Sequence, residues 1–337
     1  MNFDFTDDQQ AIKSTANEML AARFKPEHVR ERMEAGEYDE AAWKEMAELG
    51  WAGIFIDEEH GGQGLGVVEL VILMEELGYV LAPVPFLSNA AAGLALQFAG
   101  TDEQKERWLP GIASGEARGT VGVLRDGEAR LVPDADSAEV IVLIAPGGES
   151  VVIEASAAEI EPFEAMDRTR RFARVRVDGG EPLGGDPLAA ADRIATALSS
   201  ETVGVAQKAM EMAVEYAHDR KQFGRPIGSY QAVSHRCAQM LLEVESSRSG
   251  VYYAGWCADS ELESLPAAAS MAKAYSSDAG WRVCGSSLQV HGGIAFTWEH
   301  DLHLYLKRAK TNAVLYGSAR EHRERVAELA LEQPVAA

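Results

Sequence analysis

The stretch from about residue 187 to the end carries four long helical signatures joined by short links, and this pattern constrains the fold most. Residues 190–221 are rich in Ala, Val and Met. Ser229 caps a second stretch that runs to about 260 past Val233, Cys237, Leu241 and Val244. Pro266 opens a third that reaches Val290, where Gly292-Gly293 ends it, and a fourth begins near Thr297 and runs to the tail. Helices with short connections pack antiparallel, so a four-helix bundle is expected.

The preceding texture is different. Between residues 119 and 185 short β-rich runs fall at 120–124, 140–144, 151–153 and 172–177, separated by Gly, Pro and Asp. In the last run Arg174 and Arg176 alternate with Val175 and Val177, as in a strand with one wet face. The N-terminal part reads as helices. Thr6 and Gln9 form a capping box, residues 41–49 stop at Gly50, residues 67–77 end at Gly78, and residues 101–109 stop before Pro110. A strand-like run at 51–56 lies among them. The expected fold is α+β, predominantly α, with an N-terminal α-helical domain at 1–116, a small truncated β-domain at 117–186 and a C-terminal four-helix bundle at 187–337.

Composition narrows the function. Hydrophobic residues make up 47% and charged residues 25%, which suits a folded globular chain. A formal charge of −22 argues against nucleic acid as a partner, but a local Arg or two can still hold a phosphate. Cys237, Cys257 and Cys284 are too few and too scattered for a disulfide framework or a zinc site. Residues 1–10 lack a signal-peptide pattern, and the most apolar stretch, 67–81, is interrupted by Glu69, Glu75 and Glu76. A cytoplasmic protein with no membrane partner is the expectation.

Several motifs have plain structural readings. Gly61-Gly62-Gln63-Gly64-Leu65-Gly66 invites a dinucleotide site, but Val67 stands where the last glycine of G-x-G-x-x-G belongs. Glu299 and His303 share a helical face at i,i+4 without a third metal ligand nearby, and no metal site is expected. The basic run Arg168, Arg170, Arg171, Arg174 and Arg176 either pairs with nearby acids or offers an anionic contact. Two segments are more informative. Arg220 and Lys221 lie at a helix end, followed by Gln222, Phe223, Gly224 and Pro226, a corner suited to gripping a pyrophosphate and covering a ring. Gln289 and His291 precede Gly292-Gly293, where backbone can approach a ligand closely or merely end a helix.

Together, the R-x-Q-F-G-x-P-I pattern at 220–227 and the Q-x-H-G-G pattern at 289–293 resemble the acyl-CoA dehydrogenase family, and the likeness covers nearly the whole chain. Leu49-Gly50, Gly61-Gly62-Gln63-Gly64 and Trp108-Leu109-Pro110-Gly111 look like the family's first domain. The resemblance implies a tetramer built from dimers that oxidises the Cα–Cβ bond of an acyl-CoA with FAD and a carboxylate base. It also implies that Arg220, Gln222, Phe223, Gln289, Gly292 and Gly293 contact a neighbouring subunit's FAD, with electron-transfer flavoprotein as electron acceptor.

Three departures accompany the likeness. Tyr316, in Leu315-Tyr316-Gly317-Ser318, stands where the family's catalytic Glu belongs, and a phenol is a poor base at neutral pH. The alternative base position falls near Ile194, beside Arg193, and Glu201 is the best remaining carboxylate, although an ion pair suits it better. The flavin-holding T-E-P-x-x-G-S-D-like loop and the later Trp strand are missing after residue 124, and Ala295 replaces the last glycine of the G-G-x-G turn. The chain therefore resembles the shortened subunit of heteromeric α2β2 acyl-CoA dehydrogenases of actinobacterial steroid catabolism. A self-sufficient homomeric enzyme using Glu201, or a non-catalytic scaffold, are the alternatives.

Overall fold

The computed structural model describes residues 5–332. Six helices come first: α1 (Asp7–Arg23), α2 (Pro26–Ala35), α3 (Glu40–Glu48), α4 (Val67–Val80), α5 (Phe86–Ala99) and α6 (Asp102–Ser114). Thr6 caps α1 and Thr101 caps α6 through reciprocal capping boxes with Gln9 and Gln104. Residues 51–56 are not a strand. They are buried in a 3-10 turn at Trp51–Gly53 followed by a further turn, where Gly53 lies so close to Ala113 that a Cβ would sit 2.7 Å from its methyl carbon. Helix α6 also runs through Pro110 rather than stopping before it, held on both sides by fully buried Leu109 and Ile112.

Seven strands follow: β1 (Gly119–Val123), β2 (Glu128–Pro133), β3 (Val140–Ile144), β4 (Val151–Glu154), β5 (Glu159–Phe163), β6 (Phe172–Arg176) and β7 (Glu181–Pro182). They form two sheets, ordered β1-β3-β4-β7 and β2-β6-β5, with β1 and β3 parallel. Strand β3 shows why both sheets are needed. Val140, Val142 and Ile144 join the large helical core, whereas Ile141 and Leu143 pack with Ala129, Val132, Ala173 and Val175. Successive residues point to opposite faces, so a strand apolar throughout must be covered on both sides.

The chain then returns to helix: α7 (Pro187–Asp219), a short hairpin of β8 (Lys221–Gln222) and β9 (Arg225–Pro226), α8 (Gln231–Ser260), α9 (Leu265–His291), α10 (Leu302–Asn312) and α11 (Ala319–Glu332). Tyr230, not Ser229, occupies the α8 N-cap; the Ser229 hydroxyl instead donates to the Pro226 carbonyl at 2.7 Å. The expected fourth helix is two, broken where Tyr316 (φ +56°) and Gly317 (φ +103°) take left-handed conformations. The result is a predominantly helical α+β fold in which α4 and α5 pack on α7, and α7, α8 and α9 pack on one another. Among the described residues no helix is long and apolar enough to cross a membrane.

Candidate functional site

Two regions concentrate functional side chains, an exposed corner at one end of the bundle and a buried ion network between the sheets and the bundle.

The corner begins where α7 ends. Phe223 and Gly224 both have positive φ, +53° and +81°, which makes the β8–β9 link a two-residue turn matched to strand twist. Such a turn is costly for Phe and leaves its ring 92% exposed. The Tyr230 hydroxyl donates to the Gln222 carbonyl at 3.1 Å, and the Arg225 guanidinium lies over the Tyr230 ring, so the turn is braced from behind. Arg220, Gln222 and Gln289 are exposed, and among the described residues their side chains form no ion pair or hydrogen bond. The structure brings both sequence motifs together. Tyr216, one turn before Arg220, stacks on His291 with ring centroids 4.7 Å apart, and His291 meets His300 edge-on at 4.6 Å. His291 directly precedes Gly292, whose φ of +66° ends α9. Apart from their immediate chain neighbours, neither Gly292 nor Gly293 has an atom of the described residues within 4 Å of the position a Cβ would take, so this backbone is bare. Phe296, 78% exposed, stands just beyond.

The buried network surrounds the carboxylate of Glu201. Glu201 on α7 is 3% exposed. Its Oε1 accepts from Arg170 Nη2 at 2.5 Å and Arg308 Nη1 at 2.8 Å, and its Oε2 accepts from Asn312 Nδ2 at 2.9 Å. Arg308 Nε also donates to Asp167 at 2.7 Å, and Arg308 Nη2 donates to the Thr169 hydroxyl at 2.6 Å. Burial alone would push both carboxyls up, but Arg170 and Arg308 outweigh it and hold Glu201 and Asp167 below the usual carboxylate range. Ionised, buried and held by three protein donors, this carboxylate is fixed as an ion-pair partner. Beside it, the Lys273 ammonium is 1% exposed and donates to Ser277, the Asn312 carbonyl and the Gly317 carbonyl. Burial pulls its pKa down to about 7.

Tyr316 sits at the α10–α11 break, where its hydroxyl faces the Val121 carbonyl at 3.4 Å. Burial pushes the phenol above its ordinary value, so it stays protonated. Opposite it, β1 turns into β2 through a hairpin closed by Arg125 and Glu128, with Asp126 and Gly127 both at positive φ. No loop long enough to wrap a flavin leaves this edge.

Other motifs resolve structurally. The backbone at Gly62 runs against Ile56, where a Cβ would lie 2.0 Å from the carbonyl oxygen. The α4 N-terminus is occupied by the chain itself, since Val67 N and Val68 N donate to the Asp259 carboxylate at 2.8 and 3.0 Å. The basic run is spoken for by acids: Arg168 by Glu164, Arg171 by Asp136, Arg174 by Glu161, and Arg176 by Glu128 and Glu159. Asp167, Arg170 and Arg308 went unnoticed as a unit with Glu201, because the segments that carry them lie far apart in sequence and a helical cation such as Arg308 on α10 reads as part of an ordinary solvated face.

This fold, with its bare glycine turn and exposed Arg corner, belongs to a known class of flavin-linked acyl oxidoreductases. Residues 6–116 match the acyl-CoA dehydrogenase N-terminal domain and residues 188–331 the C-terminal domain. The chain belongs to the acyl-CoA dehydrogenase family. Among its relatives, acyl-CoA dehydrogenase IpdE2 of Mycobacterium tuberculosis is 36% identical over 330 residues, covering 97% of this chain and 99% of that one. Acyl-CoA dehydrogenase FadE27 of the same organism is 29% identical over an alignment of 380 residues, covering 99% and 100%. Among solved structures, a Tcur3481–Tcur3483 steroid acyl-CoA dehydrogenase variant superposes with a TM-score of 0.86 at 27% identity, covering 97% of this chain and 98% of that one. The ChsE4–ChsE5 complex from Mycobacterium tuberculosis shares the fold at TM-score 0.91 and 24% identity, covering 99% and 100%.

Proposed function

We propose that this chain is one subunit of an FAD-dependent acyl-CoA dehydrogenase assembly, that it contributes Arg220, Gln222, Phe223, Gln289, Gly292 and Gly293 to a flavin seated in a second, catalytic chain of the same family, and that the two chains form an α2β2 heterotetramer. The observation that carries this reading is the exposed corner: a cation without a carboxylate partner, in a chain of net charge −22, beside two bare glycines and an outward Phe. These groups fit a pyrophosphate and an aromatic ring approaching from outside. FAD, when bound, supplies the hydride acceptor for Cα–Cβ oxidation. Arg220 would neutralise phosphate charge, Gly292 and Gly293 would admit the phosphates close to backbone, and Phe223 would shield one ring face from water.

The chain's own half fits no flavin. A tight hairpin stands where a flavin-wrapping loop would leave β1, Tyr316 replaces the base, and Glu201 is locked between two guanidiniums. The partner would supply base and acyl pocket. The length agrees: the alignment with IpdE2 takes up 99% of that chain in 330 residues, whereas FadE27 needs 380. A bulky polycyclic acyl-CoA is the substrate class we infer, from the likeness to a steroid acyl-CoA dehydrogenase complex. Electron-transfer flavoprotein would take the electrons, and the cytoplasm is the expected location.

Co-expression with neighbouring family chains, followed by flavin counting, tests the reading. One FAD per two chains is expected, and Arg220→Ala should cut the flavin retained by the complex at least tenfold on dialysis. Full flavin loading of this chain purified alone would overturn it.

A further inference from the structure

A cavity of about 290 Å³ remains beside Tyr316, between β1, the first turns of α7 and the α10–α11 link. Its wall is largely aliphatic: Val121, Val123, Ile144, Leu188, Ala191 and Ile194. That volume lies close to the lower end of the range typical of small-molecule pockets. The charged groups at its mouth are already paired, Arg125 with Glu321 at 2.7 Å and Arg325 with Asp192, so the cavity offers an incoming molecule no unbalanced charge.

Besides those paired charges and His322, whose ring nitrogens face the Ser270 hydroxyl and the Tyr316 carbonyl, Tyr316 supplies the polar feature of the wall. Its left-handed backbone (φ +56°) is unusual for an aromatic residue, yet it is fixed from two sides. His322 Nε2 lies 3.1 Å from the Tyr316 carbonyl, and Lys273 donates to the Gly317 carbonyl at 3.0 Å. The ring so positioned lines the cavity, and among the described residues its hydroxyl has a single acceptor, the Val121 carbonyl, at 3.4 Å. That distance is long for an O–H···O bond, so a better acceptor would be taken up readily. Because burial raises the phenol's pKa, the hydroxyl remains a donor throughout the physiological range.

We infer that this cavity is a binding site for a compact, uncharged apolar molecule carrying one carbonyl oxygen, which accepts a hydrogen bond from Tyr316. The site is separate from the outward corner and does not depend on the flavin reading. It turns a position emptied of its carboxylate into a donor at the end of an apolar pocket.

Cyclooctanone is the probe, and cyclooctane, of the same ring size without the oxygen, is the control. Binding is followed by ligand-observed NMR and calorimetry on the chain in its native assembly. Saturable binding of one cyclooctanone per chain is expected, tighter than cyclooctane. Tyr316→Phe should weaken it about 2- to 12-fold, the net worth of one hydrogen bond, and Ile194→Trp should abolish it by filling the cavity. Absence of saturation, equal affinity for ketone and hydrocarbon, or unchanged affinity in either variant would overturn the proposal. The ketone–hydrocarbon comparison uses the wild-type chain and stands even if a variant fails to fold. Arg220→Ala should leave cyclooctanone affinity unchanged, so failure of the flavin reading and failure of this one are distinguishable.

Discussion

Replacing Glu201 by Gln keeps the shape of the side chain and removes one of the two carboxylates in the buried network. Arg308 retains Asp167 at 2.7 Å, but Arg170 loses its only ion-pair partner among the described residues while remaining buried. Leaving a buried charge uncompensated costs about 3–5 kcal/mol. With an unfolding entropy of roughly 2.1 cal/mol/K per residue, the chain's melting temperature should fall by about 4–7 °C. Differential scanning calorimetry of the assembled protein at pH 7 measures this directly. The pH dependence adds a second reading. Glu201 and Asp167 titrate below their unfolded values, so their stabilisation is complete above about pH 4.3 and is lost as pH falls through the lower folded values. The gap between wild type and Glu201→Gln should therefore narrow below about pH 4. A melting shift under about 1 °C would refute the network argument. Loss of turnover with an unchanged melting temperature would instead make Glu201 a base.

Three further outcomes are expected. Lys273, with its pKa pulled down to about 7, has shed a proton that the unfolded chain still holds up to pH ~10.4; wild-type stability should therefore gain on Lys273→Met between pH 7 and 9, read from paired melting curves. Asp259→Ala frees two amides at the α4 N-terminus and should cost about 1–2 kcal/mol in urea unfolding. Gly292→Ala places a Cβ on a backbone at φ +66°, ψ −141°, outside the left-handed α region, facing open space; flavin retention by the complex should fall, with a stability loss of about 1–3 kcal/mol.

The sequence exposed those parts of the fold whose chemistry is local. The capping boxes at Thr6 and Thr101 depend on residues three positions apart, and the β3 run is apolar because it is covered twice. Helix α5 escaped notice because it is buried nearly all round, so its small apolar residues show no periodic stripe. Strand β5, Glu-Ile-Glu-Pro-Phe, is a charged edge whose acids make sense only opposite Arg174 and Arg176 of β6. The same division holds for the candidate site. Arg220, Phe223 and the Gly292 turn announce themselves through rigid local spacing. Arg308, by contrast, lies between Lys307 and Lys310 in sequence and looks solvated, yet it is 1% exposed. Only tertiary placement distinguishes it from its neighbours.

The buried network also ties together residues made at different times. Glu201 and Arg308 are 107 residues apart, and Asp167 and Arg308 are 141 apart. At roughly 5–20 residues per second, a ribosome finishes Arg308 about 5–20 s after Glu201. During that interval Arg170 is, among the described residues, the only ion-pair partner of the two acids already made, since Lys273 bonds Ser277 and two backbone carbonyls instead. The sheets and the first bundle helix cannot lock onto each other without leaving one acid buried and unneutralised. Final docking therefore waits for α10, and a nascent chain stalled before that helix would present an unfinished interior to the cell's chaperones.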